Sequence, residues 1–342
     1  MMLLRHARNT DLEAIYNLAL HSGIGITTLP KDEALLKKRL QLSTLSFKTD
    51  PQFPTNEYYF FVLEDSLTKQ LVGTSGIEAN TGFESPFYSY KLSKYTRMCY
   101  SLNIRSDYEV LNLVNDHQGC SEMCTLYLEP NYRRNHNGLL LSKGRFLFMA
   151  QSPYRFSKTV IAEMRGVSDE DGESPFWDHL GSHFFHMSFI EADRLTLASD
   201  KQLIADLMPL TPIYVQLLNP DAQAVIGKPH KTSLPAMKIL LKEGFRYNHY
   251  VDIFDAGPTI EAPLENIKSI GLSQLFKIIK LRDDVTSIDY LLANLQVEFR
   301  ATLGSALIDP VGFTCIISKE IADLLQVHTG DHLRIVPLNT SI

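Results

Sequence analysis

The chain has no apolar run approaching the ~20 residues that a membrane-spanning helix requires, and it has only four cysteines, Cys99, Cys120, Cys124 and Cys315. The first shortage argues against a bilayer span. The apolar stretch at the N-terminus is also too short for a secretory leader. The cysteines form no CxxC pair, so a structural zinc site has no ligand pattern to rest on. Cys120 and Cys124 lie in or beside an apolar strand, where a free thiol behaves as a small hydrophobe. They read as reduced core residues of a cytoplasmic protein. Positive charge is not in excess: 33 Lys and Arg stand against 39 Asp and Glu, a net charge of −6. Bulk nucleic-acid binding, which needs a basic surface, is therefore not expected. The two common phosphate loops are missing as well, with no G-x-x-x-x-G-K-[ST] and no G-x-G-x-x-G after a strand.

What remains is an ordinary globular composition over 342 residues, 44% hydrophobic and 21% charged. That length holds two modest domains or one elaborated domain. The most informative stretch runs from Glu122 to Met149. Met123 to Leu128 has strand length and composition, and Pro130 then ends the ladder. A turn rich in Arg, Asn and Gly follows from Tyr132 to Gly138, and from Leu139 the apolar spacing becomes helical. Strand, polar turn and helix N-terminus together present free N–H groups and a positive dipole end, suited to a phosphate.

Elsewhere the pattern predicts a strand from Leu3 and a helix to Leu20, with N-cap candidates Asn9 to Asp11. A glycine loop over Gly23 to Pro30 and a second helix over Asp32 to Leu42 follow. Tyr58 to Glu64 and Leu71 to Ala79 read as a hairpin, and Thr159 to Met164 as a further strand. Ser174-Pro175 opens an aromatic helix. Ala236 to Gly244 reads as a helix with a glycine stop, and Tyr250 to Asp255 as a strand. Lys277 to Asp284 looks charged and linker-like, and short alternating runs after it predict a small, mostly β end. The expected units are residues 1–190, 191–270 and 271–342.

Pro130-x-x-Arg133-x-x-His136-x-Gly138 resembles the pyrophosphate loop of the GNAT superfamily of acyl-CoA N-acyltransferases, Pro-x-x-Arg/Gln-x-x-Gly-x-Gly/Ala. His136 departs from it at the first glycine. Longer stretches are similar to the arginine N-succinyltransferase family within that superfamily, over roughly residues 1–270. They include Ser121-Glu122-Met123-Cys124-Thr125-Leu126, Ala162-Glu163-Met164-Arg165-Gly166-Val167, Ser174-Pro175-Phe176-Trp177 and Glu243-Gly244-Phe245-Arg246-Tyr247. The resemblance implies an α/β (α+β) fold: a GNAT-like mixed sheet flanked by helices, a second helix-strand unit and the β-rich end. It implies transfer of succinyl from succinyl-CoA to the α-amine of L-arginine. It further implies that Leu126 lies at the succinyl-CoA site. His230, in Ile226-Gly227-Lys228-Pro229-His230, matches the family's Ile-Gly-x-x-His and would be the proton donor.

Physical chemistry weighs the remaining candidates. A loop histidine beside Lys228 and Lys231 is either solvated or catalytic; imidazole suits a reaction that moves a proton from an amine to a thiolate. Arg133, Arg134, Asn137 and Gly138 are placed to meet the CoA pyrophosphate. Glu122 and Glu163 fall on strands expected to flank the acyl chain, either binding a cationic substrate, relaying a proton, or facing solvent. Arg165 suits a bidentate contact to the succinyl carboxylate or a structural ion pair. His179, His183 and His186 cluster, but no carboxylate or cysteine completes a metal site, and none is expected. Neither Cys120 nor Cys124 has a neighbouring base, so direct transfer is preferred to an acyl-enzyme. The rival readings are another amine acceptor such as ornithine, or a silent sensor of CoA or arginine. The partners expected are small molecules, with no nucleic acid, no membrane and a possible homo-oligomer.

Overall fold

A computed structural model describes residues 1–23, 28–169, 172–198, 202–285 and 290–338. Residues 24–27 of the expected glycine loop lie outside that set. The chain opens with β1 (Met2–His6), α1 (Leu12–His21) and α2 (Glu33–Lys48). Asp32 caps α2 by accepting the Leu35 amide at 3.0 Å. The helix runs to Lys48, past the predicted Leu42, because Ser43, Ser46 and Phe47 also face inward. Next come β2 (Tyr58–Asp65), β3 (Leu71–Glu78), β4 (Ser89–Cys99), β5 (Ile104–Val114), β6 (Ser121–Leu128), α3 (Asn137–Gln151) and β7 (Thr159–Glu163). The middle of the chain forms α4 (Ser182–Phe185), α5 (Phe189–Ala198), α6 (Gln202–Leu207), β8 (Ile213–Tyr214), α7 (Pro220–Val225) and α8 (Leu234–Glu243). The end forms β9 (Arg246–Val251), β10 (Pro258–Pro263), α9 (Lys268–Gly271), β11 (Gln274–Leu281), β12 (Tyr290–Ala293), β13 (Arg300–Gly304), β14 (Leu307–Asp309), β15 (Thr314–Ile317), α10 (Lys319–Leu325) and β16 (His332–Pro337).

All of these strands join one mixed sheet, ordered β14-β15-β11-β16-β12-β13-β1-β2-β3-β6-β7-β10-β9-β4-β5-β8. The pairings β6–β7 and β11–β15 are parallel and the others antiparallel. The mixed sheet flanked by helices that the resemblance implies is therefore present. One face of the central strands packs on α3 through Phe47, Phe61, Phe148 and Phe299. The other is covered by α1 and α2 through Ile15, Leu36 and Phe60. A further core surrounds Trp177. No helix among the described residues is long and apolar enough to cross a membrane.

Two local expectations are corrected. The strand predicted over Tyr250 to Asp255 ends at Val251, because Asp252 Oδ1 accepts the amides of Phe254 (2.7 Å) and Asp255 (2.9 Å) and folds the chain into an Asx turn. Lys277 to Leu281, read as linker, belongs to β11. There Phe276 and Ile278 point inward while Lys277 and Ile279 are exposed, so period 2 outweighs the charge until the register shifts before Lys280.

Candidate active site

The site is organised by an irregularity in β6. Thr74 faces Tyr127 and Gly76 faces Cys124, so Thr125 and Leu126 together oppose the single residue Ser75. This two-against-one count is a β-bulge. Thr125 adopts φ 57°, a region that β-branched residues rarely enter. Tertiary contacts hold it there: its amide donates to Thr28 Oγ1 at 2.9 Å, and Thr74 Oγ1 donates to its carbonyl at 3.0 Å. Beyond Glu122↔Ile161 the parallel ladder between β6 and β7 stops. The strands part where Leu126 and Glu163 stand, and a cavity of about 1250 Å³ opens between them.

At one end of this cavity lies the turn before α3. Asn135 and His136 both adopt the left-handed conformation, at φ 51° and 61°. The path therefore accommodates histidine where the superfamily pattern has glycine; asparagine and histidine enter this region more readily than most residues. Asn137 is buried and its Nδ2 donates to the Tyr132 carbonyl at 3.0 Å, closing the turn. Arg133 Nε donates to the Leu128 carbonyl at 3.0 Å. Among the described residues, the amides of Asn135, His136, Gly138 and Leu139 meet no protein acceptor. With the dipole of a 15-residue helix behind them, they make this end of the cavity suited to an anion. A Cβ added to Gly138 would meet only Leu128 Cδ2, at 4.0 Å, so the protein itself leaves room there.

The opposite lip is acidic. Glu57, Glu78, Glu122 and Glu163 all line the cavity. Glu122 on β6 is buried and sits directly across from Glu78 on β3. Glu163 ends β7 and accepts a 3.5 Å hydrogen bond from Thr259 Oγ1.

The third wall carries Arg165 and, beside it, His230. Arg165 Nη2 donates to Ser168 Oγ at 2.6 Å, while its buried Nε has no acceptor. Burial lowers its pKa, and the nearby Asp255 opposes that shift. The His230 loop is hung on this wall by two backbone bonds: His230 N–H to the Arg165 carbonyl (2.8 Å) and Gly227 N–H to the Ala256 carbonyl (2.9 Å). Gly227 adopts φ 70°, and a Cβ there would stand 2.6 Å from the Tyr247 hydroxyl, so the loop requires glycine. The Thr232 amide donates to His230 Nδ1 at 3.2 Å, and the Thr232 hydroxyl lies 2.7 Å from the same atom. Burial, then the charges of Arg165 and Lys231, push the imidazole pKa down. A neutral ring accepting at Nδ1 carries its proton on Nε2.

The cavity thus gathers Glu122, Leu126, Arg133, Arg134, Asn137, Gly138, Glu163 and Arg165 along its lining. His230 stands just behind, between lining residues Arg165 and Thr232. Sequence reasoning missed Glu57, Glu78 and Arg145 as lining residues. Only Arg145 left a signal, as a charge within the apolar stretch Leu139 to Met149.

Fold and cavity together define a mixed α/β protein with a cleft for small molecules, one end rich in free amides and the other in carboxylates. The comparisons narrow the class. A family model described as arginine N-succinyltransferase beta subunit matches residues 2–269, and one for its C-terminal domain matches residues 277–337. A curated arginine N-succinyltransferase from Citrobacter koseri is 41% identical over 99% of this chain and 98% of its own. One from Salmonella arizonae is 42% identical over the same shares. A solved structure from Pseudomonas aeruginosa, described as arginine/ornithine succinyltransferase subunit AI, is 36% identical, covers 99% of both chains and superposes with a TM-score of 0.90. The chain belongs to the arginine N-succinyltransferase family.

Proposed function

We propose that the protein transfers the succinyl group of succinyl-CoA to the α-amine of L-arginine, giving N2-succinylarginine and CoA. The observation that carries this reading is the two-ended cavity: unpartnered amides with Arg133 and Arg134 at one end, carboxylates at the other. The amides, Asn137 and Gly138 take the CoA pyrophosphate. Leu126, in the bulge, borders the acyl group. Glu122 and Glu163 receive the cationic acceptor, whose planar guanidinium offers forked donors that an ammonium lacks. Arg165, next to His230, receives a substrate carboxylate.

The amine nitrogen attacks the thioester carbonyl, the C–N bond forms and the C–S bond breaks. The nitrogen sheds a proton and the departing thiolate takes one up. His230 serves that transfer as proton donor to the sulfur, with Glu122 able to accept the amine proton. Holding both substrates in one cleft supplies the orientation that direct transfer needs.

Thiol release from succinyl-CoA is the test. It is expected to depend on L-arginine, with kcat/KM for arginine well above that for lysine and ornithine. Arginine-independent release, or equal rates with all three amines, overturns the reading.

A further inference from the structure

Arg145 lies on α3, two turns into the helix from the anion-binding end, and is only 1% exposed. Its guanidinium is fixed from two sides. Nε donates to the Ser142 carbonyl at 3.2 Å. Nη1 donates to the carbonyls of Gly76 (2.8 Å) and Cys124 (3.2 Å), which the β6 bulge leaves beside each other. Among the described residues Nη2 has no hydrogen-bond partner and no carboxylate stands within ion-pair distance of Arg145. Burial lowers its pKa to about 10, so the group is still a cation at neutral pH. A buried cation without a counter-charge is costly to the fold. This one also lines the cavity, so a ligand can supply the missing anion.

Resting on the reading that the donor is an acyl-CoA whose thioester lies at Leu126, we propose that Arg145 reads the terminal carboxylate of the acyl chain. It thereby selects four-carbon dicarboxylic thioesters over plain acyl-CoAs. The distances agree. Cys124, whose carbonyl holds the guanidinium, is two residues from Leu126, at most ~7 Å even on an extended strand and less across the bulge. A succinyl chain places its carboxylate carbon ~4 Å beyond the thioester carbon, and a charged hydrogen bond adds ~2.8 Å.

The other cavity arginines are engaged differently. Arg165 gives Nη2 to Ser168 and lowers the pKa of His230, which places its charge at the proton-transfer end. Arg39 lies 5.6 Å from the Tyr58 ring centroid and donates Nη1 to the Thr28 carbonyl. Among the described cavity arginines, Arg145 alone combines burial to 1% exposure, a rigid anchor at the bulge and an unengaged N–H edge.

The experiment compares succinyl-CoA with butyryl-CoA, which has the same chain length but a methyl group in place of the carboxylate. The native protein is expected to prefer succinyl-CoA by about 10²-fold in kcat/KM, and Arg145→Gln to lose about that factor on succinyl-CoA alone. Equal losses on both donors overturn the proposal, because a residue that only plugs the bulge affects every acyl chain alike. If Arg145→Gln does not fold, Arg145→Lys takes its place; it keeps the charge and is expected to retain part of the preference. Native protein that uses butyryl-CoA as well as succinyl-CoA also overturns it. Calorimetric binding of the two donors without any amine keeps this result separate from the choice of acceptor: the same preference must appear there even if arginine is not the substrate.

Discussion

His230 is held by contacts that set both its position and its proton. The backbone bond to Arg165 fixes the loop, and the Thr232 amide at Nδ1 leaves Nε2 as the donor edge. His230→Ala is expected to fold normally and to lower kcat by about 10²–10⁴-fold, the usual loss for an acid or base. The pH dependence follows from the lowered pKa. The ring that presents Nε2–H to the departing sulfur is the neutral one, and that form is lost as pH falls through its pKa. The acidic limb of kcat/KM should therefore lie below the ordinary imidazole value of about 6.5. Lys231 contributes to the depression, so Lys231→Glu, which reverses that charge, should move the limb upward toward neutral pH. A limb that stays in place in Lys231→Glu, or near-native kcat in His230→Ala, removes His230 from the proton path.

At the scale of elements, the turn before α3 is where sequence and structure meet best. Strand, proline stop, polar turn and helix were all legible between Glu122 and Met149, because each follows from local rules of periodicity and turn chemistry. The test of the turn's role is Gly138→Val. The protein leaves room for a Cβ at that position, so a loss of succinyl-CoA affinity of about tenfold or more with unchanged stability would report the ligand's approach. Unchanged donor affinity in calorimetry would move the pyrophosphate elsewhere. The bulge at Thr125 was not legible. Its residues have good strand propensity, and only contacts to Thr28, Tyr58 and Thr74 force the chain out of register. The β4–β5 hairpin was missed for the opposite reason. Its arms leave the core after Tyr90 and before Val110, and most positions between those two residues on the strands are exposed, so no apolar alternation marks them. Arg145 was hidden within a run of helical hydrophobes, since sequence shows a charge there but not the carbonyls of Gly76 and Cys124 that it bonds.

Across the whole molecule the C-terminal strands are built onto the catalytic sheet. Strand β13 pairs with β1, and Phe299 packs between Phe61 and Phe148 with ring centroids 5.7 and 5.4 Å apart. A second tie is ionic. Lys143 on α3 lies 3.0 Å from Glu243 at the end of α8, with side chains only 3% and 2% exposed. Lys143 Nζ also donates to the Leu338 carbonyl at 3.1 Å, just beyond β16, and Glu243 Oε2 accepts the Ser269 amide at 2.7 Å. One buried pair therefore joins α3, the helix that follows the His230 loop, α9 and Leu338 after the last strand. Desolvation offsets most of the Coulomb gain in such a pair, so its presence is weak evidence for net stability. Removing one partner is another matter, because the second charge is left buried without a counter-ion. Lys143→Met is expected to destabilise the fold by about 3–5 kcal/mol in denaturant titration, and Glu243→Leu similarly. The double variant should cost much less than the sum of the two, since no stranded charge remains; the residual cost is the lost hydrogen bonds to Leu338 and Ser269. Additive losses would mean that the two charges are stabilised independently by their backbone partners. The tie between α3, α8 and the C-terminal strand would then rest on packing around Phe299 rather than on the ion pair.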